Sequence, residues 1–197
     1  TRDFSVRQLA DASLDEGIVS VTFDDGWQSA AEKALPLLQK YHIKTTQYII
    51  TTASDNKLDG YMSDKTIKHF KDLGHEVGSH TLLHCDLTKL STEEIIKNAS
   101  ASKQHLEQKQ LGPIRSFAYP YGAFNKQTQR ILAPLYPLIR TSDEGYNDRY
   151  FDAKQIKSVA IRATTTDQEF KSMLDYTKQH KLWLVLVYHR VDERGDY

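Results

Sequence analysis

Apolar and β-branched residues gather along this chain into short runs separated by polar, periodic segments. Runs over residues 18–23, 45–50, 75–79, 115–119, 138–141, 156–161 and 183–188 predict strands. The segments between them predict helices. Residues 27–40 set Ala31, Ala34, Leu35 and Leu38 on one face. Ser63 caps a helix running to Leu73, which Gly74 stops. Ser91 with Glu94 forms a capping box opening a long polar helix that Gly112-Pro113 ends. Residues 125–132 predict another helix, and Thr166 with Glu169 opens a last one running to about His180. Residues 51–62 are rich in Ser, Asp, Asn, Lys and Gly and predict a loop. Alternating strands and helices predict an α/β fold with a mainly parallel, buried sheet. Its strands close into a barrel or form an open doubly wound sheet. The lack of a glycine-rich dinucleotide fingerprint after the first strand weakens the second option.

The chemistry-bearing residues recur where predicted strands end. Asp24-Asp25, His80 with His84, the turn 119–122, Arg140 with residues 141–145, and His189 all stand at such exits. In a parallel barrel those ends share one rim, the usual seat of an active site.

At 197 residues the chain suits one domain, with residues 1–16 a lead-in or the edge of an upstream domain and residues 17–197 the domain proper. Twenty-six basic residues balance twenty-six acidic ones, which argues against a nucleic-acid binder held by phosphate contacts. No apolar run is long enough to span a bilayer. Cys85 is the sole cysteine, so no internal disulfide forms; it reads as a small, half-buried thiol. Asn98-Ala99-Ser100 fits a glycosylation acceptor pattern, but inside a helix the match is accidental.

Two adjacent carboxylates leaving a buried strand repel each other and lose hydration, a conflict that a bound cation resolves. His80 and His84 are spaced to reach one ion from a single turn or tight loop, and Asp25 completes a His-His-carboxylate set. Two imidazoles and one carboxylate suit zinc, and also iron, cobalt or nickel. Three protein ligands leave room for water and substrate, as in a catalytic site. Asp24 is then free to act as a general base. His189 is either a core histidine or a general acid. The backbone N–H of Tyr121 either serves an ordinary turn or faces a developing oxyanion. Trp183 and Leu186 are core residues by default, or one of them lines an apolar pocket for a small acyl group.

Four motifs in order are Thr22-Phe23-Asp24-Asp25-Gly26, Ser79-His80-Thr81-Leu82-Leu83-His84, Tyr119-Pro120-Tyr121-Gly122 and Leu186-Val187-Tyr188-His189. Together they resemble the polysaccharide deacetylases of carbohydrate esterase family 4, from about Ile18 to His189. The first two motifs carry the specificity. The resemblance implies a distorted (β/α) barrel of about seven parallel strands. It implies hydrolysis of N-acetyl groups on an aminosugar polymer that is chitin-like, poly-N-acetylglucosamine or peptidoglycan. Asp24 is then the base, and His189 the acid. Asp25, His80 and His84 hold one divalent ion, zinc first and cobalt or nickel next. Tyr121 supplies the oxyanion N–H, and Leu186 lines the acetate methyl pocket. Many members carry an arginine three residues before the Tyr-Gly of the third motif, where this chain has Ala118. Arg140 is the expected substitute for holding Asp24 ionised, its competing role being a surface ion pair with Asp143 or Glu144. Trp183 is the expected stand-in for a tryptophan-bearing motif that is not plain here. The family implies an acetylated glycan as partner and an extracellular or cell-envelope location. The chain is expected to be a monomer, with tethering to other domains open. An O-acetyl (xylan) esterase and a non-catalytic carbohydrate-binding module on the same fold are the alternatives. The full set Asp24, Asp25, His80, His84 and His189 disfavours the second.

Overall fold

The computed structural model describes residue 14 and residues 16–56 and 58–192. Seven strands form a closed, all-parallel barrel in chain order. They are β1 (Ile18–Phe23), β2 (Thr45–Ile49), β3 (Glu76–Ser79), β4 (Ser116–Ala118), β5 (Leu138–Glu144), β6 (Ile156–Ala160) and β7 (Trp183–Tyr188). β7 closes on β1 over its whole length, from Ile18 beside Trp183 to Phe23 beside Tyr188. The closed barrel is the outcome of the choice the strand–helix alternation left open. Of the expected lead-in, only Leu14 and Glu16 fall within the described residues.

Helices cover the barrel. A π-helical stretch, Ala30–Ala34, runs into α1 (Leu35–Lys40), followed by α2 (Thr51–Asp55), α3 (Asp64–Asp72), α4 (Thr92–Gln108), α5 (Lys126–Leu132) and α6 (Asp167–Gln179). Ser63 caps α3 by accepting from the Thr66 N–H, and both expected capping boxes form, at Ser91/Glu94 and Thr166/Glu169. A third box, Asn125/Thr128, opens α5. The expected loop after β2 instead begins with the short helix α2. The backbone N–H groups of Thr51 and Thr52 donate to the carbonyls of Thr81 and Leu82, tying α2 to the loop after β3.

Strand alternation divides the interior into two layers. Outward-facing Phe23, Ile49, Val77, Phe117 and Ile139 pack under α1, α3, α4 and α5 with Leu35, Phe70, Ile95 and Leu132. Each such buried side chain contributes on the order of 1.5–3 kcal/mol. A second outer layer places Val159, Leu184 and Leu186 beneath Phe170, Met173 and Leu174 of α6. The inside of the barrel is more polar. Tyr48 lies across Gly78, where an added Cβ would stand 2.6 Å from its ring and 2.7 Å from Ser116 Oγ. The Arg140 guanidinium lies 5.3 Å from the same ring. Trp183 donates its indole N–H to Ser20 Oγ at 3.0 Å.

Candidate active site

The strand exits converge on a cleft of about 830 Å³ whose lining includes Asp24, Asp25, His80, His84, Tyr121, Arg140 and His189. Strained backbone concentrates at this rim. Asp25, Thr81, His84 and Tyr121 all hold positive φ, at 71°, 68°, 53° and 57°. Non-glycine residues adopt this conformation at a cost, and such residues cluster at functional sites. At Gly122, φ is 64° and an added Cβ would stand 1.6 Å from Ser142 Oγ, so only glycine fits where this turn meets β5.

Asp25, His80 and His84 meet as the alternation of strands and loops predicts. Asp25 Oδ1 is 3.4 Å from His80 Nε2 and 3.3 Å from His84 Nε2. His80 Nδ1 lies 2.8 Å from the carbonyl oxygen of Ala118. A carbonyl only accepts, so Nδ1 carries a proton and Nε2 is the ring atom turned to Asp25. His84 is held by its own loop, its backbone N–H donating to Thr81 Oγ1 at 2.8 Å. Burial pushes the His84 imidazole below its usual range, reinforced by His80. Burial would raise the carboxyl of Asp25, but His80, then the charges of His84 and His189, outweigh it and bring it to about 2. Asp25 Oδ1 is buried without a hydrogen-bond partner among the described residues. A carboxylate oxygen facing two imidazole nitrogens is a donor set that fits a cation. Among the described residues this is the one His/Cys/Asp/Glu group compact enough to hold a metal ion, its ligand atoms lying within 4.8 Å of one another.

Beside it, Asp24 is buried and its Oδ2 accepts from Arg140 Nη2. Arg140 is buried too; its Nη1 donates to the Thr141 carbonyl and to Ser158 Oγ, each at 3.3 Å. Thus Arg140 faces the barrel interior rather than the surface. It sits within β5, which continues past the expected end at Thr141 to Glu144, with a register irregularity between Arg140 and Glu144. His189 follows β7, the neighbour of β1, and its Nε2 is 3.9 Å from Asp24 Oδ2.

Tyr121 is exposed at the mouth, with its ring 4.6 Å from that of His84. Two other expected residues are not brought to the cleft. Leu186 is buried in the layer beneath α6, because its position in β7 points outward. Its neighbour Val187 points inward and lines the cleft beside Ala160, its partner in β6. Trp183 points inward but at the wrong end. It stands at the start of β7, roughly 17 Å of strand from the rim, packed on Phe151. Cys85 is half-buried and its Sγ accepts from Asn98 Nδ2 at 3.2 Å, apart from the ligand group. Asn98 is itself buried in α4, its Oδ1 accepting from the Leu82 N–H. Tyr146 packs on Tyr176 of α6 and Tyr150 is exposed.

Val187 was not singled out by motif reasoning, and a contact between Trp27 and Asp25 was not expected. Trp27 Nε1 donates to Asp25 Oδ2 at 2.9 Å. The one signal in sequence was its position two residues after Asp25.

A parallel barrel with a His-His-Asp cluster at its carboxyl rim and an arginine-paired carboxylate alongside defines a candidate hydrolytic centre. The polysaccharide deacetylase family model matches residues 11–135, and this chain belongs to that family. The peptidoglycan-N-acetylglucosamine deacetylase PgdA of Listeria monocytogenes is 28% identical over 162 residues, covering 81% of this chain and 33% of that protein. Chitin deacetylase 1 of Saccharomyces cerevisiae is 32% identical over 114 residues, covering 58% of this chain and 35% of that one. Among solved structures, the Streptococcus pyogenes deacetylase PplD in complex with acetate superposes with a TM-score of 0.78 at 25% identity, covering 87% of this chain and 78% of that one. The chain spans less than half the length of the curated relatives it matches. No helix among the described residues is long and apolar enough to cross a membrane.

Proposed function

We propose that this chain is a metal-dependent deacetylase that removes N-acetyl groups from an N-acetylglucosamine-containing polysaccharide. The observation that carries this reading is the adjacency of two differently equipped carboxylates. Asp25 turns to two imidazoles, while Asp24 turns to a buried guanidinium in the same cleft. Paired titratable groups in contrasting environments are the mark of divided catalytic roles.

Asp25, His80 and His84 would hold the divalent ion, zinc by its donor set, with cobalt or nickel as substitutes. Such an ion, when bound, polarises an acyl oxygen and lowers the pKa of water. The remaining work falls to this chain. Asp24 receives a proton from the attacking water. Arg140 fixes the orientation of that carboxylate through Oδ2, leaving Oδ1, which is buried without a partner among the described residues, to accept. His189 delivers a proton to the leaving amine nitrogen. The backbone N–H of Tyr121 is assigned to the developing oxyanion. Val187 and Ala160 bound the space for the acetyl methyl, in place of Leu186.

The names of the relatives support an acetylated glycan as substrate, and the acetate in the PplD complex supports an acetyl-sized pocket. A polymer of that kind is met outside the cell or in its envelope. The greater length of the relatives supports tethering to further domains, with this unit acting as a monomer.

Acetate release from chitin oligomers, poly-N-acetylglucosamine, peptidoglycan and acetylated xylan tests the reading. Release from N-acetylated polymers is expected. Release from acetylated xylan alone would make the chain an O-acetyl esterase. Binding without release from any polymer would make it a carbohydrate-binding module.

A further inference from the structure

We propose that Trp27 is a positioning residue that fixes Asp25 as a one-oxygen metal ligand. The inference rests on the reading of Asp25, His80 and His84 as ligands. It starts from the division of labour between the two oxygens of one carboxylate. Oδ2 accepts from the Trp27 indole N–H at 2.9 Å, while Oδ1 lies 3.3 and 3.4 Å from the two imidazole nitrogens. An indole N–H is a donor only and does not titrate, so Oδ2 stays engaged at any working pH. That contact stops the carboxylate from rotating and presents Oδ1 alone to an ion.

The indole is itself held. Its ring stacks on Tyr61 at 4.2 Å and 25°, and the Arg190 guanidinium lies 4.6 Å from it. Backbone bonds clamp the loop around it. Gln28 donates to the Gly60 carbonyl and Met62 to the Gly26 carbonyl, both at 2.8 Å. Arg190 is anchored by Asp192 at 2.8 Å, and the Val191 N–H donates to Ser29 Oγ at 3.0 Å. The segment carrying His189 and the turn carrying Asp25 are therefore registered against each other through Trp27. Partners that orient ligating carboxylates change metal affinity by roughly 10- to 100-fold when removed.

The test uses the full chain stripped of metal, with zinc affinity read by competition against a chromogenic chelator. Trp27→Phe keeps a stacking ring and loses the donor. The expected result is zinc binding weaker by roughly 10- to 100-fold. The metal-free variant should melt close to the metal-free parent, and the cobalt-loaded visible spectrum should change. Zinc affinity equal to the parent's would overturn the assignment. Should Trp27→Phe not fold, Arg190→Met and Tyr61→Ala loosen the same indole. A several-fold loss of zinc affinity in either supports the proposal, and unchanged affinity in both refutes it. A parent chain that binds no zinc would instead remove the metal reading itself, a distinct outcome.

Discussion

Arg140 reaches from β5 across the barrel interior to pair with Oδ2 of Asp24 on the β1 exit, both side chains almost fully buried. Removing one partner of such a pair strands the other charge. Arg140→Ala is expected to destabilise the fold by about 3–5 kcal/mol in urea denaturation. Acetate release should fall at least about 100-fold, since the base loses its orienting partner. The double variant Asp24→Ala with Arg140→Ala should recover much of the stability and none of the activity. Additive stability losses in the two single variants would show that the pair is not coupled.

Leu186 and Val187 are adjacent in sequence and opposite in role. Leu186→Ala opens a hole beneath α6 and should cost about 2–5 kcal/mol, with kcat/KM of the folded protein nearly unchanged. Val187→Phe intrudes on the cleft and should lower kcat/KM at least about tenfold, equivalent to about 1.4 kcal/mol of transition-state binding. The opposite pattern would return the acyl pocket to Leu186.

His75 links pH to stability away from the cleft. It is buried, its Nδ1 accepts from the Thr45 N–H at 3.2 Å, and its Nε2 lacks a partner among the described residues. Burial, then the charges of Lys44 and His69, bring it from its usual 6.5 down to about 4. The unfolded chain therefore takes up a proton at a higher pH than the folded one does. Its contribution is fully present above about pH 6.5 and is lost as pH falls through about 4, a loss on the order of 3 kcal/mol. His75→Asn, measured beside the parent in chelator by urea denaturation at several pH values, should show a shallower decline over that window. Parallel declines would place the acid sensitivity elsewhere.

Much of this architecture was legible in local chemistry. The capping boxes at Ser91 and Thr166 and the apolar strand β7 follow from short-range rules. The meeting of Asp25 with His80 and His84 follows from strand exits sharing a rim. What escaped depends on parity and on tertiary contacts. β7 is apolar at every position from Trp183 to Val187, so no alternation reveals that Val187 faces in and Leu186 faces out. Nor does sequence show that Trp183 lies at the far end of the barrel. The helix α2 forms in a polar stretch because its first N–H groups find carbonyls at Thr81 and Leu82, thirty residues away. The box at Asn125 uses Thr128 where the usual pattern has Glu or Gln. Trp27 acquires its meaning only once its N–H is seen on Asp25.

The central claim is that one ion, gripped by Asp25, His80 and His84, is required for deacetylation. The direct measurement is acetate release from N-acetylglucosamine oligomers by chelator-stripped protein, before and after one equivalent of zinc, for the parent and for Asp25→Ala. The account predicts negligible release without metal, recovery at one equivalent in the parent, and no recovery in Asp25→Ala. Full activity in the stripped parent, or equal recovery in Asp25→Ala, would contradict it.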